Sequence, residues 1–360
     1  MDNDNTSTYG TISNEILTTE WLFYFDDPTQ RRLIALGYLI ITVIGMFGNG
    51  LVVSSVFVSR KLQTTTNVFV VNLAISDFMG CSTLPFLAAT YISDDLPFSH
   101  GFCAALSGLT YIMFSASVVN LAMIALNRFY LLTKSKNAYL KLYCKRNISL
   151  MVMLSWTYVA LVTFILPFFG VGALGYSKRY RVCTLNSDNE LTLYYTAVRL
   201  TLLPVTCLIV IIFSYISIFR FLIKSGQTQI KYKKSKPSSK APGNTKEINN
   251  RQIKVTKNLF VIVCAYVLCI IPYVLTYAIP GLYAFIPWAA LCVTSNSCVN
   301  PVIYGFWHPN FKEVIKCILC CKFSKVPQRC NLLKRLCQSK TEKLEATSQR
   351  REISTSDTKL

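Results

Sequence analysis

Charge is sparse in this sequence. Asp, Glu, Lys and Arg make up 15% of it, against 52% hydrophobic residues, a balance that excludes an ordinary soluble domain. Histidine is scarcer still. His100 and His308 are the two in the chain, and both stand outside the long apolar runs. A hydrolytic site within a membrane needs a base beside a nucleophile, so this scarcity argues against an enzyme. Acid is nearly missing from the runs as well, with Asp77 alone lying well inside one. A transporter or channel, the rival from another class, would line its path with several charges and show paired half-repeats. Neither is found. The chain also begins without a basic start or an apolar middle, so no cleavable signal peptide is expected, and the first apolar run must act as its own insertion signal.

What is present is a series of apolar runs at residues 33–58, 68–91, 102–126, 148–174, 191–223, 255–279 and 282–306. Each matches the roughly 20 residues that a helix needs to cross the hydrocarbon core. Backbone polar groups cannot be left open to lipid, so the runs must be helices of one bundle. The prediction is an all-α membrane protein, a seven-transmembrane helix bundle over 31–307. An N-terminal tail at 1–30 precedes it, and a flexible, Lys/Ser/Pro/Gly-rich loop at 225–250 interrupts it. A short amphipathic eighth helix at 308–321 and a disordered tail at 322–360 follow.

The net charge of +20 gathers in alternate loops: Arg60 and Lys61, then Lys134 to Arg146, then 224–257, then the tail. By the positive-inside rule that side is cytoplasmic and the N-terminus is extracellular, as in a multi-pass protein of the plasma membrane. Arg31 and Arg32 mildly oppose this. The basic excess sets topology and meets anionic lipid or a cytosolic partner rather than nucleic acid.

Of 14 cysteines, Cys103 and Cys183 fall on the outer side, with no metal-binding spacing there. A disulfide joining them would tie the loop before the fifth run to the third. Asn5 opens Asn5-Thr6-Ser7, a glycosylation acceptor on the same side. In "NFKEVIKCILCC" the apolar Phe311, Val314, Ile315, Ile318 and Leu319 share one helix face, as an interfacial helix requires. Cys317, Cys320 and Cys321 at its end are candidates for S-palmitoylation, or plain reduced thiols. The terminal "SDTKL" offers Thr358 and Leu360 to a PDZ-domain protein.

Polar groups inside the runs carry the remaining information. Asp77, Asn49, Ser117, Asn120, Asn296, Ser297 and Asn300 would form one wet pocket if they converge. A carboxylate with hydroxyl and amide oxygens suits a hydrated monovalent cation; a hydrogen-bond network around a protonated Asp77 is the alternative. Arg128, in "ALNRFY", either meets a cytoplasmic partner or snorkels to headgroups. Pro167, Pro204 and Pro272 lie within runs and allow kinks.

Taken in order, "GNGLVV" at 48–53, "NLAISD" at 72–77, Cys103 with Cys183, "NRF" at 127–129, Trp156, "CIIP" at 269–272 and "NPVIY" at 300–304 resemble the class A, rhodopsin-like G-protein-coupled receptors over about residues 30–322. The resemblance implies an allosteric sodium ion held by Asp77, Ser117, Asn296, Ser297 and Asn300. It implies that Tyr304, after Pro301, swings inward to a water-bridged contact with Tyr215, while Arg128, beside Asn127, is released to a heterotrimeric G protein. Arrestin is a further implied partner. Within the class, "IALNRFYLLTKSKNAYLKLYCKRN", "LGYSKRYRVCTL" and "NSCVNPVIYGFWHPNFK" are most similar to the melatonin receptors.

The ligand pocket of those receptors is not matched. Phe168, Leu185 and Ser187 stand where they carry Asn, Phe and Gln, and no histidine lies in the fifth run. The implied extracellular ligand is therefore a small or lipid-like molecule other than melatonin, with melatonin or a peptide as alternatives. Thr110 replaces the acid of amine receptors, and Thr294 replaces the lysine that holds retinal. The expected ligand cup is Thr110, Tyr111, Phe114, Tyr195, Tyr273 and Tyr277. Arg199, if it does not face headgroups, favours an anionic or acceptor end. Ile270 stands for the usual tryptophan, and Pro204 comes about one turn early relative to Tyr215. Asn127 and Gln252 replace both acids that normally restrain Arg128, which implies raised basal signalling. A nonsignalling decoy would not need Arg128 and Asn300-Pro301.

Overall fold

The structure is a computed structural model that describes the backbone of residues 25–235, 243–279 and 281–331, and side-chain surroundings for 25–224, 260–279, 281–308 and 310–331. Asn5, the side chain of Gln252, and Thr358 to Leu360 lie outside the described residues.

The seven runs are helices: α1 (Pro28–Val58), α2 (Thr65–Ile92), α3 (His100–Thr133), α5 (Lys145–Phe168), α6 (Thr192–Leu200) continuing as α7 (Thr206–Ser235), α8 (Gly243–Ala278) and α9 (Ile286–Trp307). A short α4 (Lys136–Leu142) follows α3, and α10 (Pro309–Leu319) follows α9. Local chemistry starts several of them. The Asp27 carboxylate accepts from Thr29 N at 2.8 Å, ahead of Pro28 at the first helical position. Thr64, Ser99 and Ser135 cap α2, α3 and α4 in the same way.

Among the described residues six helices are long and apolar enough to cross a membrane. The seventh span, α9, is left out of that set because Thr294, Ser295, Asn296, Ser297 and Asn300 dilute its apolar character. The outward faces are greasy rather than polar. On α1, Leu36, Ile40, Val43 and Phe47 are all exposed, which only a lipid solvent tolerates in a row. Helix α1 packs on α2 and α9, α2 on α3, α3 on α7, and α8 on α9.

Two local features add to the expected all-α bundle. Leu174–Ser177 and Val182–Leu185 form an antiparallel hairpin (β1, β2), with Tyr176 opposite Cys183. The expected disulfide Cys103–Cys183 ties β2 to the first turn of α3, so the hairpin roofs the outer end of the bundle. The second concerns α6 and α7, which meet in a wide π-turn at Thr201–Val205. Pro204 has no N–H to give to the ladder, and the Thr206 hydroxyl donates instead to the Thr201 carbonyl at 2.8 Å. One extra residue in the turn rotates everything above it by about 100° relative to Tyr215. That shift bears on the early position of Pro204.

Two segment expectations need correction. The backbone of α7 runs to Ser235 and that of α8 starts at Gly243, so much of 225–250 is helical. The start of the expected disordered tail is packed against the turn that follows α1. Ser59 Oγ donates to the Pro327 carbonyl at 2.7 Å, Arg60 N to Gln328 O at 2.8 Å, and Cys330 N to Val58 O at 2.9 Å. Val326 is buried beside them.

Candidate functional site

The candidate residues stand at three depths. At the hairpin end of the bundle lies a cavity of about 710 Å³ lined by Thr110, Tyr111, Phe114, Arg199, Tyr273 and Tyr277. Pockets of roughly 300–1,000 Å³ suit small organic ligands. The cup is tied together by its own hydroxyls. Tyr111 OH pairs with Thr184 Oγ1 on β2 at 2.6 Å, and Thr110 Oγ1 donates to Thr83 Oγ1 at 3.0 Å. Ile270, Val293 and Thr294 line the cavity from α8 and α9, while Asp188 and Glu190 line it from the loop before α6.

Arg199 faces this cavity, not headgroups. Its side chain is buried, and the guanidinium carbon lies 4.2 Å from the centre of the Tyr111 ring. Its Nε has no hydrogen-bond partner. Tyr195 is a correction. It does not line the cavity; its hydroxyl donates to the Thr163 carbonyl on α5 at 3.0 Å. Gly172 makes room for it, since a Cβ there would come within 2.7 Å of Tyr195 Cβ and the backbone has φ +73°. Of the melatonin-receptor positions, Leu185 and Ser187 line the cavity, whereas Phe168 is 84% exposed and turned away.

Sequence reasoning missed the outer clamp. Arg31, read as a stray topology charge, is buried: Nε donates to the Tyr91 carbonyl at 2.8 Å and Nη1 to Asp94 Oδ1 at 3.1 Å. It pins the end of α2 to the start of α1. Arg181 in the hairpin turn pairs with Asp26, which raises its already high pKa. Burial pushes the Tyr180 phenol in the same turn up to about 12. Tyr38 and Tyr91 also line the cavity; tyrosine in an apolar run reads as packing, so nothing local marked them.

At mid-depth Asp77 is fully buried. Ser297 Oγ donates to its Oδ1 at 2.8 Å and Asn300 Nδ2 to its Oδ2 at 2.7 Å. Ser117 faces the carboxylate, with its hydroxyl short of a full hydrogen bond. Asn296 is not bonded to Asp77. The oxygens Ser117 Oγ, Asn296 Oδ1 and Asn300 Oδ1 are buried without partners. The Ser117 and Asn300 oxygens, orphaned beside the Asp77 carboxylate, are donors a hard monovalent cation takes, so these residues fit sodium. Among the described residues no group of three His, Cys, Asp or Glu side chains exists to hold another metal. Neighbouring amides brace the layer: Asn49 Nδ2 donates to the Ser297 carbonyl at 2.9 Å, and Asn72 joins Asn120 at 2.7 Å and Trp156 at 3.0 Å.

At the end of the bundle away from the hairpin, Asn127 is turned to α2 and α4. Thr66 Oγ1 donates to its Oδ1 at 2.6 Å, and its Nδ2 donates to Tyr139 OH at 3.2 Å. Arg128 is buried rather than snorkelling, with the phenols of Tyr215, Tyr139 and Tyr304 within electrostatic reach. Tyr304 packs on Phe311 of α10, ring centres 5.3 Å apart and tilted by 31°. The hydroxyls of Tyr304 and Tyr215 are both buried and make no direct hydrogen bond to protein. Pro301 sits against Gly48, where a Cβ would come within 2.7 Å of its ring. On α10 and just beyond it, Cys320 and Cys321 are exposed and Cys317 is half-buried.

Comparison with known proteins agrees with this geometry. The family model described as "7 transmembrane receptor (rhodopsin family)" matches residues 48–304. Melatonin receptor type 1B-B of Danio rerio is 31% identical over 279 residues, which is 76% of this chain and 77% of that protein. Somatostatin receptor type 2 of Mus musculus is 26% identical over 313 residues, 82% of this chain and 79% of its own. The crystal structure of squid rhodopsin superposes with a TM-score of 0.68 at 21% identity, over 86% of this chain and 90% of that one.

Proposed function

The chain belongs to the rhodopsin family of seven-transmembrane receptors, and from that premise we propose how its residues couple an outer ligand to a heterotrimeric G protein. It is a receptor, not an enzyme. One observation carries the proposal: a ligand-sized cavity, a buried carboxylate bonded to α9, and a buried Arg128 lie one below another in the same bundle.

Ligand in the cavity touches α3, α6, α8 and α9 together. Rearranging α9 strains the Ser297 and Asn300 bonds to Asp77, and frees Tyr304 from its packing on Phe311. Tyr304 then turns toward Tyr215, and Arg128 opens to the G protein. A sodium ion, when bound, supplies positive charge beside Asp77; Ser117 and the Asn296 and Asn300 oxygens would help hold it, favouring the resting state. This is a two-state equilibrium biased from outside, and ligand and G protein strengthen each other's binding equally.

The cavity's size favours a small molecule over a peptide. The exposed Phe168 and the lack of a cavity histidine favour a ligand other than melatonin. Alternation of the basic loops supports a plasma-membrane receptor with an extracellular N-terminus glycosylated at Asn5. Exposed Cys320 and Cys321 support acylation beside α10. Arrestin is proposed as a second partner of the cytoplasmic face, and a PDZ domain as a partner of Thr358 and Leu360, which a peptide array with Leu360→Ala and phosphorylated Thr358 controls tests.

The test of coupling needs no ligand. Full-length receptor is expressed with sensors for each G-protein class, at matched surface level beside Arg128→Ala. Basal activation of at least one class, lost in the variant, is expected. Equal signals from both in every class would make the protein a decoy.

A further inference from the structure

We propose that the cavity ligand is a monocarboxylate with an apolar or aromatic body, and that its carboxylate pairs with Arg199; the proposal rests on the receptor reading of this cavity. A guanidinium stays charged under all ordinary conditions. Arg199 is 7% exposed, its Nε has no hydrogen-bond partner, and no described carboxylate pairs with it. A buried charge without a counter-ion is expensive and persists where function requires it.

The cavity's own acids do not answer it. Asp188, at the loop edge, lies 3.7 Å from Lys178, Glu190 lines the cavity but makes no described ion pair with Arg199, and the sequence from 96 to 187 holds no Asp or Glu. The wall beside Arg199 is phenolic. Tyr111 lies under the guanidinium plane but spends its hydroxyl on Thr184, and the Tyr273 and Tyr277 hydroxyls face each other at 3.5 Å. The free edge of the guanidinium is therefore the unmet donor of the cavity.

Its planar fork fits two carboxylate oxygens. Arg179 and Glu190 also line the cavity and offset each other in sign, so one positive charge remains at Arg199, and a monocarboxylate there leaves no excess where a doubly charged phosphate would. The rest of the ligand meets Phe114, Ile270, Val293 and the tyrosine faces, which calls for an apolar body.

The test uses purified full-length receptor in lipid nanodiscs and reads thermal stabilisation, which involves no G protein. The probes are decanoate, oleate, 2-naphthoate and indole-3-acetate, each with its methyl ester, plus decyl phosphate. At least one acid is expected to raise Tm in a saturable way, with its ester about 100-fold weaker, as loss of a charge-assisted pair implies. The shift should vanish in Arg199→Gln and weaken in Arg199→Lys. The ligand-free Tm of Arg199→Gln should be no lower than that of the wild type, because an uncompensated charge has been removed. The proposal is overturned if no acid stabilises the receptor, if esters or decyl phosphate match the acids, or if Arg199→Gln keeps the response. A large ligand-free loss in Arg199→Gln would make the arginine structural and overturn it too. Failure of G-protein coupling, by contrast, would remove the signalling role and leave these shifts untouched.

Discussion

Replacing Asn127 by aspartate should quieten the receptor. The side chain already accepts from Thr66 at 2.6 Å and donates to Tyr139 at 3.2 Å. In Asn127→Asp the first bond becomes charge-assisted and roughly doubles in strength. The second survives only if the Tyr139 hydroxyl turns to donate. The new carboxylate stands next in the chain to buried Arg128. At a separation of about 5 Å and an effective dielectric of about 20, their attraction is about 3 kcal/mol. Desolvating the carboxylate takes back a large part of that, leaving on the order of 1.4 kcal/mol for the resting state, a tenfold shift. The assay is ligand-free G-protein activation at matched surface expression. A fall of about tenfold is expected on that shift. Unchanged or higher basal signal would refute the argument that a carboxylate at 127 restrains Arg128. Asn127→Ala, which loses both bonds without adding charge, should not lower it.

Three further outcomes follow from the same geometry. Sodium, compared with choline at equal ionic strength, should raise the Tm of the wild type; Asp77→Asn should remove that difference, and an equal sodium effect in both places the ion elsewhere. Cys183→Ser releases the hairpin from α3 and should cost about 2–5 kcal/mol, read as lower Tm and surface expression; an unaltered Tm would mean the hairpin holds by itself. Gly48→Val forces a side chain onto Pro301, where even a Cβ comes within 2.7 Å, and should cost about 1–3 kcal/mol by overpacking; a neutral result would show that α1 and α9 part freely.

The spans were legible because lipid imposes length and apolarity on each helix separately. Asp77, Ser297, Asn300 and Arg199 were legible because a polar group in an apolar run needs a reason. What escaped the sequence depends on partners far along the chain. Ser59 meets Pro327 across 268 residues, and no local pattern marks "KVPQRC" as packed rather than loose. The hairpin strands have four residues each, too few for alternation to register, and they flank a basic turn that reads as loop. Tyr195 was misplaced because its ring turns to α5, where its hydroxyl meets the Thr163 carbonyl, while Arg199, one turn further along the same helix, reaches the cavity; no helical count separates the two. Arg31 was read through topology alone, since its acceptors, Tyr91 and Ser93, are backbone carbonyls that every residue offers.

The central claim is that Arg128, buried below the Asp77 layer, opens to a G protein. The most direct measurement is guanine-nucleotide exchange on purified Gα subunits of each class, with Gβγ and the full-length receptor in nanodiscs. The account predicts faster exchange on at least one class than with empty nanodiscs, slowed by Asn127→Asp and abolished by Arg128→Ala. No acceleration on any class, or acceleration that survives Arg128→Ala undiminished, would contradict it.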